Sequence, residues 1–157
     1  MHRAELEARG KGKNLPLNFY EWGRSQCMEA PGPKLLTKTF SKSPLFLVDE
    51  TDSLFCNGYS ISPKVSTELF SETLEIRLLQ RLLNSWVMDY YTRLTSFHIE
   101  GGYQCFQKNF IECFSIPQIE QSDKFQIMTL EGEERERLIC KVFNIAPKQV
   151  LEIISAK

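Results

Sequence analysis

The sequence predicts an α/β (α+β) domain: a small, mostly antiparallel sheet packed against a long amphipathic helix, with a helical segment at the C-terminus. Three observations support this class. Short apolar runs separated by turn residues fill residues 34–61, an apolar stripe of helical period covers residues 71–96, and helical patterns return after residue 133. The chain has 157 residues, 42% apolar and 25% charged, which suits one buried core in an ordinary folded domain.

The first part of the chain lacks a regular pattern. Residues 1–14 are charged and punctuated by glycine, so we expect a flexible tail or linker there and a folded domain over residues 15–157. A short helix is expected at residues 17–22. Pro31 and Pro33 then exclude regular structure, because proline restricts its own backbone and that of the preceding residue.

Three strand candidates follow these prolines. Residues 34–40 alternate imperfectly between polar and apolar side chains, and residues 45–48 form a short apolar run. After a polar turn at residues 49–53, residues 54–61 give the third candidate. We expect two or three of these segments to pair antiparallel.

One uninterrupted helix is predicted over residues 71–96, since leucine and aromatic residues recur there with helical spacing and form one wide apolar face. Ser71 is a suitable N-cap for this helix. Asp89 and Arg93 are placed to pair across one helical turn.

The C-terminal segment is predicted to contain two helices. The first covers residues 133–143, and Pro147 suits the first turn of the second, where its missing N–H is not needed. An acidic stretch overlaps the start of the first of these helices. Residues 119–136 carry six acidic and two basic residues, a net charge of −4.

Several kinds of site are not indicated. The five cysteines are scattered and odd in number, which argues against a disulfide framework or a structural zinc site. His98 lies between apolar neighbours and is interpreted as structural. No apolar run is long enough to span a membrane and the first residues are too charged for a secretory signal, so we expect a cytoplasmic protein without membrane contact.

Three motifs follow one another along the chain: Leu-Leu-Asn-Ser-Trp at residues 82–86, Gly-Gly-Tyr at residues 101–103 and Phe-Ser-Ile-Pro at residues 114–117. Their order and spacing resemble the TaqI-like C-terminal specificity domain. That domain is the target-recognition part of adenine-specific DNA methyltransferases in restriction-modification systems. The resemblance covers roughly residues 17–145 and is strongest over residues 78–117.

The resemblance implies that this chain reads double-stranded DNA while a separate S-adenosylmethionine-dependent domain, in cis or in trans, methylates a flipped adenine. The chain itself has no Asn/Asp-Pro-Pro-Tyr/Phe motif and no glycine-rich turn suited to a cofactor. It also has no Asp-x-Lys or Glu-x-Lys sequence of the metal-dependent nuclease type. We therefore expect no catalytic, cofactor-binding or metal-binding residues in this chain.

The first candidate for DNA contact is the segment around the glycine pair. Gly101 and Gly102 can adopt positive φ and bring backbone amides to a phosphate; the alternative is a tight turn after the long helix. Tyr103 is the candidate for stacking on a base. Lys108 is suited to a phosphate or a guanine.

Amide side chains in the same segment, namely Gln104, Gln107 and Asn109, are suited to the edge of an adenine. Gln104 is our main candidate among them. Alternate residues of one segment point in different directions, so only part of this set can face DNA.

Two further segments are candidates. Arg24 and Gln26 belong to a tryptophan-glycine-arginine turn that resembles one opening the specificity region of relatives. Lys34, Lys38 and Lys42 lie near a predicted strand end, where they can contact phosphates. Equally, these lysines can simply protect an edge strand from aggregation.

The net charge of −1 does not favour DNA binding, because DNA-binding domains are usually basic. Residues 10–48, however, carry six basic and two acidic side chains, a balance of +4, and we expect the acidic stretch at residues 119–136 to face away from DNA. Ordinary solvated surfaces explain this distribution equally well. The alternative function is a non-enzymatic interaction module that docks a partner subunit through its aromatic surface.

Overall fold

The computed structural model describes residues 3–7, 32–51, 58–62 and 69–156. The predicted helix at residues 17–22 and the candidates Arg24 and Gln26 lie outside these ranges. The described elements are, in chain order, α1 (Arg3–Glu7), β1 (Lys34–Lys38), β2 (Phe40–Ser41), β3 (Phe46–Asp49), β4 (Gly58–Ile61), α2 (Leu69–Leu83), α3 (Trp86–Thr95), β5 (His98–Ile99), β6 (Tyr103–Cys105), α4 (Lys108–Ile111), α5 (Gln121–Thr129), α6 (Gly132–Val142) and α7 (Pro147–Ile154). Helix α1 lies within the predicted tail. The mixed class with antiparallel sheets is confirmed.

Strands β3, β1 and β4 form an antiparallel sheet, here called sheet I, with β1 in the centre. Leu35 of β1 is opposite Val48 on one side and Ile61 on the other. Leu35 and Phe46 are fully buried and face the helices. The three predicted strand segments therefore do pair antiparallel, although the first is shorter than predicted because the chain leaves sheet I after Lys38.

Strands β2, β6 and β5 form a second antiparallel sheet, sheet II, which the sequence did not predict. Strands β5 and β6 make a hairpin whose connection contains Gly101 and Gly102, with φ of +86° and +79°. These values lie in the left-handed region that only glycine adopts without strain. The backbone amide of Phe106 donates to the carbonyl of Thr39 at 2.8 Å and fastens the end of β6 to the junction between β1 and β2.

The uninterrupted helix predicted over residues 71–96 is wrong: two helices, α2 and α3, meet at Asn84 and Ser85. We call these two residues the helix break. Ser85 adopts an extended backbone with ψ of 167°, and its hydroxyl accepts from the amide of Met88 as the N-cap of α3. Ser71 is not the N-cap of α2, because that helix begins two residues earlier, at Leu69.

The ion pair predicted within this region is confirmed. Arg93 Nε lies 2.9 Å from Asp89 Oδ1, one turn away on α3. Burial raises the pKa of Asp89, and the guanidinium of Arg93 opposes this shift.

Asn84 connects the helix break to the edge of sheet I. Its Oδ1 accepts from the backbone amide of Phe46 at 2.8 Å, and its Nδ2 donates to the carbonyl of Phe46 at 2.8 Å. Gln80 donates to the same carbonyl at 3.0 Å. Because Phe46 lies on the edge strand β3, these bonds satisfy backbone groups that β1 does not reach.

The C-terminal helices pack against α2 and α3 from the side of the helix break. Helix α6 matches the helix predicted over residues 133–143, and Pro147 does begin the last helix. Helix α5 was not predicted. Glu136 of α6 is buried, and its Oε2 accepts from the backbone amide of Trp86 at 2.7 Å, the first residue of α3. An acidic group is favourable at a helix N-terminus because of the helix dipole.

The buried apolar residues fall into two clusters. The helical cluster consists of Leu78, Leu82, Val87, Ile127, Ile139, Cys140 and Val150. The sheet cluster consists of Leu35, Phe46, Ile76, Leu83, Met88 and Phe106. Phe114 packs against both clusters; its ring stacks on Phe143 at 5.4 Å and meets Tyr91 edge-on at 5.1 Å.

Asn84→Ala is expected to lower the free energy of unfolding by about 1–2 kcal/mol, because two hydrogen bonds to Phe46 are lost. Asn84→Asp should also destabilise, since its second carboxylate oxygen would face the carbonyl of Phe46. Urea denaturation followed by circular dichroism measures both. The control is Asn109→Ala, an exposed position on α4, which should change the free energy by less than about 0.5 kcal/mol. An equal loss in the control would contradict the role assigned to Asn84.

Candidate nucleic-acid interface

Sheet II brings together predicted contact residues that are far apart in the sequence. Ser41 is opposite Gln104 in the β2–β6 pair, so the chain leaves β2 at Lys42 beside Tyr103. The ammonium of Lys42 lies over the ring of Tyr103, 5.5 Å from its centroid. Lys42, Tyr103 and the glycines of the turn are all exposed. We call these four residues, Lys42, Gly101, Gly102 and Tyr103, the hairpin surface.

Gly101 and Gly102 form the turn that precedes Tyr103, both with positive φ. A Cβ atom at Gly101 would lie beside the Tyr103 ring, 3.6 Å from its Cδ2. The tight-turn interpretation of the glycine pair is thus what the structure shows. Contact between the amides of this turn and a DNA phosphate stays a prediction.

Lys38 and Lys108 lie at the other end of the β2–β6 pair. Lys38 is the last residue of β1 and is exposed. Lys108 begins α4, its side chain is 76% exposed, and its ammonium lies 3.8 Å from Glu112 one turn later. Such an exposed pair contributes little to stability, so Lys108 is available to an external phosphate.

The structure contradicts the predicted base contact of Gln104. Only 2% of Gln104 is exposed, because it points to the face of sheet II opposite to Tyr103. Its Oε1 is buried and has no hydrogen-bond partner. A side chain enclosed in this way does not reach a base edge.

The structure also contradicts the predicted phosphate contact of Lys34, which is 1% exposed. Its ammonium donates to the carbonyl of Thr51 at 2.7 Å and lies 3.1 Å from Oδ2 of Asp49. The contact is an ion pair between an ammonium and a carboxylate that are both largely shielded from water. A buried lysine with a carboxylate beside it is a structural feature of sheet I.

Asp49 has a strongly perturbed acidity. The Thr51 hydroxyl donates to Oδ1 at 2.6 Å and the Thr51 amide at 3.0 Å. These neighbours lower the pKa of Asp49 from 3.8 to about 2. The hydrogen bond from the Thr51 hydroxyl has the largest effect, and Lys34 contributes less. Desolvation opposes the shift but is outweighed.

The acidic stretch at residues 119–136 lies on α5, α6 and their flanks. Glu131 pairs with Arg81 and Arg135, both at 3.1 Å, and Glu133 pairs with Arg137 on the same helix. Much of the local negative charge is therefore neutralised within the helical part. These residues are outside sheet II, but their orientation relative to DNA stays a prediction.

Other side chains complete the description. Cys105 and Cys140 are buried, and burial raises the pKa of the Cys140 thiol. Cys113 and His98 are exposed, so the structural interpretation of His98 is not supported by burial. In the described ranges, no three histidine, cysteine, aspartate or glutamate side chains gather as a metal site requires. No described helix combines the length and apolar character needed to cross a bilayer.

Three exposed apolar side chains near sheet II were not predicted. Leu94 at the end of α3 is 57% exposed, Phe97 just after it is 51% exposed, and Phe40 on β2 is 42% exposed. Phe97 meets Phe110 edge-on at 5.9 Å. The sequence gives no signal for Leu94, because an apolar residue at the end of an apolar helix is normally assigned to the core. It gives none for Phe40, because the pattern does not show which face of a short strand is covered.

A scan against protein-family models and a search of curated proteins found no match for this chain. The proposals below therefore depend on the sequence motifs and on the geometry of sheet II.

Asp49→Asn should destabilise the protein most at neutral pH. A carboxylate whose pKa is lowered by folding stabilises the fold above its ordinary pKa of 3.8, and this contribution disappears as the pH falls towards about 2. The difference in free energy of unfolding between wild type and Asp49→Asn should thus shrink over that interval. Urea titrations at several pH values measure it; a difference that is constant with pH would refute the assignment.

Proposed function

We propose that this chain recognises double-stranded DNA in a sequence-specific manner, as the specificity domain of an adenine-specific DNA methyltransferase of a restriction-modification system. It would act with an S-adenosylmethionine-dependent catalytic domain in cis or in trans. The observation that best supports the proposal is the hairpin surface, where a lysine, a tyrosine and two glycines meet on one exposed tip. Chain segments about sixty residues apart converge there by strand pairing.

The basic side chains of the β2–β6 pair suit the DNA backbone. Lys38 and Lys42 are separated by four positions, so their Cα atoms are at most about 14 Å apart. Both side chains are exposed, so their ammonium groups can contact phosphates of one duplex and fix the position of the domain on it.

Sequence must be read by another side chain, since Gln104 is buried. Asn109 is the best candidate among the amides of this segment: it is exposed on α4, directly after Lys108. An asparagine amide can donate and accept at once and so forms a bidentate pair with an adenine edge. Gln107 is half-buried and less accessible.

A second candidate function is supported by the exposed Leu94, Phe97 and Phe40. Exposed apolar side chains suit a protein partner better than DNA, because interfaces with DNA are more polar and more basic. In this alternative, sheet II and the end of α3 dock a partner subunit, and the lysines serve only solubility.

Lys38→Ala and Lys42→Ala should each weaken binding to all duplexes and reduce the salt slope of the binding constant by about one unit, since one fewer counterion is released. Fluorescence anisotropy with a labelled random-sequence duplex at several salt concentrations measures this. The matched control is Lys148→Ala, whose side chain on α7 is 89% exposed and which should leave the slope unchanged.

Two outcomes would decide against DNA recognition. If the wild-type chain binds no duplex, the proposal fails. If Lys148→Ala lowers the slope as much as Lys42→Ala, binding is diffuse and sheet II is not the interface. Retention of a methyltransferase catalytic subunit without any duplex binding would instead support the docking alternative.

Asn109→Ala should alter sequence preference and leave non-specific binding intact. The expected loss is about 1–3 kcal/mol on the preferred site and little on random DNA. The preferred site is first obtained by selecting bound duplexes from a random pool, and wild type and variant are then compared on it. Asn109→Ala losing the same affinity on both duplexes would show that Asn109 does not read a base.

A further inference from the structure

We infer that Tyr103 is a positioning residue, which holds the ammonium of Lys42 ready for a DNA phosphate and does not itself stack on a base. This inference rests on the proposed function. It assigns to Tyr103 a role different from the base stacking predicted from sequence.

The geometry of the ring supports this role. The ammonium of Lys42 lies over the ring at 5.5 Å from its centroid, within the distance at which a cation is attracted to an aromatic face. A base that stacked on this face of the ring would have to displace the ammonium.

Lys42 differs from Lys34 and Lys108, two other lysines predicted to contact phosphates, in how it is held. Lys34 is buried beside Asp49, and Lys108 lies 3.8 Å from Glu112. Within the described part of the chain, no carboxylate lies within ion-pair distance of Lys42. A cation over a ring keeps all three N–H donors of the ammonium free, so Lys42 is placed without losing the groups that a phosphate would accept from.

Because Tyr103 already restricts Lys42, the lysine loses less conformational entropy when DNA binds. A lysine side chain has many rotamers, and fixing it at an interface reduces affinity. Tyr103 restricts these rotamers before DNA arrives. A cation–aromatic contact at an exposed site is worth a factor of about two to five in an equilibrium constant, and the loss of Tyr103 should weaken duplex binding by that factor.

A double-mutant cycle on a labelled random-sequence duplex tests the inference. Tyr103→Leu should weaken binding about two- to fivefold, and Tyr103→Phe, which keeps the aromatic face, should bind like wild type. In a Lys42→Ala background, Tyr103→Leu should cause no further loss. In the control background Lys108→Ala, Tyr103→Leu should cause its full loss, because Lys108 does not contact the ring.

A second measurement does not involve DNA. The ε-methylene protons of Lys42 should be shifted upfield by the ring in NMR spectra of wild type and Tyr103→Phe, and should return to ordinary positions in Tyr103→Leu. The same spectra show whether each variant is folded. Absence of the shift in wild type would overturn the inference even if DNA binding is intact.

The remaining outcomes separate the two proposals. If Tyr103→Leu weakens binding equally with and without Lys42, Tyr103 contacts DNA directly; the inference falls and DNA recognition stands. If Tyr103→Leu strengthens binding, Lys42 must leave the ring to bind, which also overturns the inference. If the wild-type chain binds no duplex, the proposed function fails and the positioning role with it.

Discussion

The side-chain amide of Asn84 accepts from the backbone N–H of Phe46 and donates to the carbonyl of the same residue. The arrangement of the sheet and the helices around it depends on this contact. The next residue, Ser85, has an extended backbone, and an extended residue cannot continue a helix. Helix α2 therefore ends before Ser85, and the Ser85 hydroxyl caps the start of α3. The residue after that, Trp86, offers its free backbone amide to Glu136 of α6. Three consecutive residues thus have three roles. Asn84 attaches the edge of sheet I, Ser85 separates the two helices, and Trp86 binds the C-terminal helix α6. All three belong to the Leu-Leu-Asn-Ser-Trp motif at residues 82–86.

Helix α3 also supports the segment that follows sheet II. Tyr91 of α3 donates from its hydroxyl to the carbonyl of Phe110 at 2.9 Å, which fixes α4 and with it the residues exposed there. The ring of Tyr91 also contacts Phe114, the residue that belongs to both apolar clusters. A proposed recognition surface needs a rigid support, and these aromatic contacts hold α4 against the helices.

The sequence predicted what depends on local pattern. The strands near residues 34–61, the Asp89–Arg93 pair and the start of the last helix at Pro147 all follow from neighbours within one turn or one strand. The helix break could not be predicted in this way, because the apolar period continues across it. The bonds that Asn84 makes there go to Phe46, 38 positions away in the sequence. Burial of Lys34 and Gln104 was missed for a related reason: which face of a short strand is covered depends on distant segments, and both residues are usually exposed.

Sheet II has strands of only two or three residues, and successive residues of β6 point to opposite faces. A shift of the pairing by one residue would exchange the two faces, so that Gln104 turned outward and Tyr103 turned inward. The side chains that this hairpin exposes thus depend on the pairing register, which the glycine turn helps to set, as well as on which residues the strands contain.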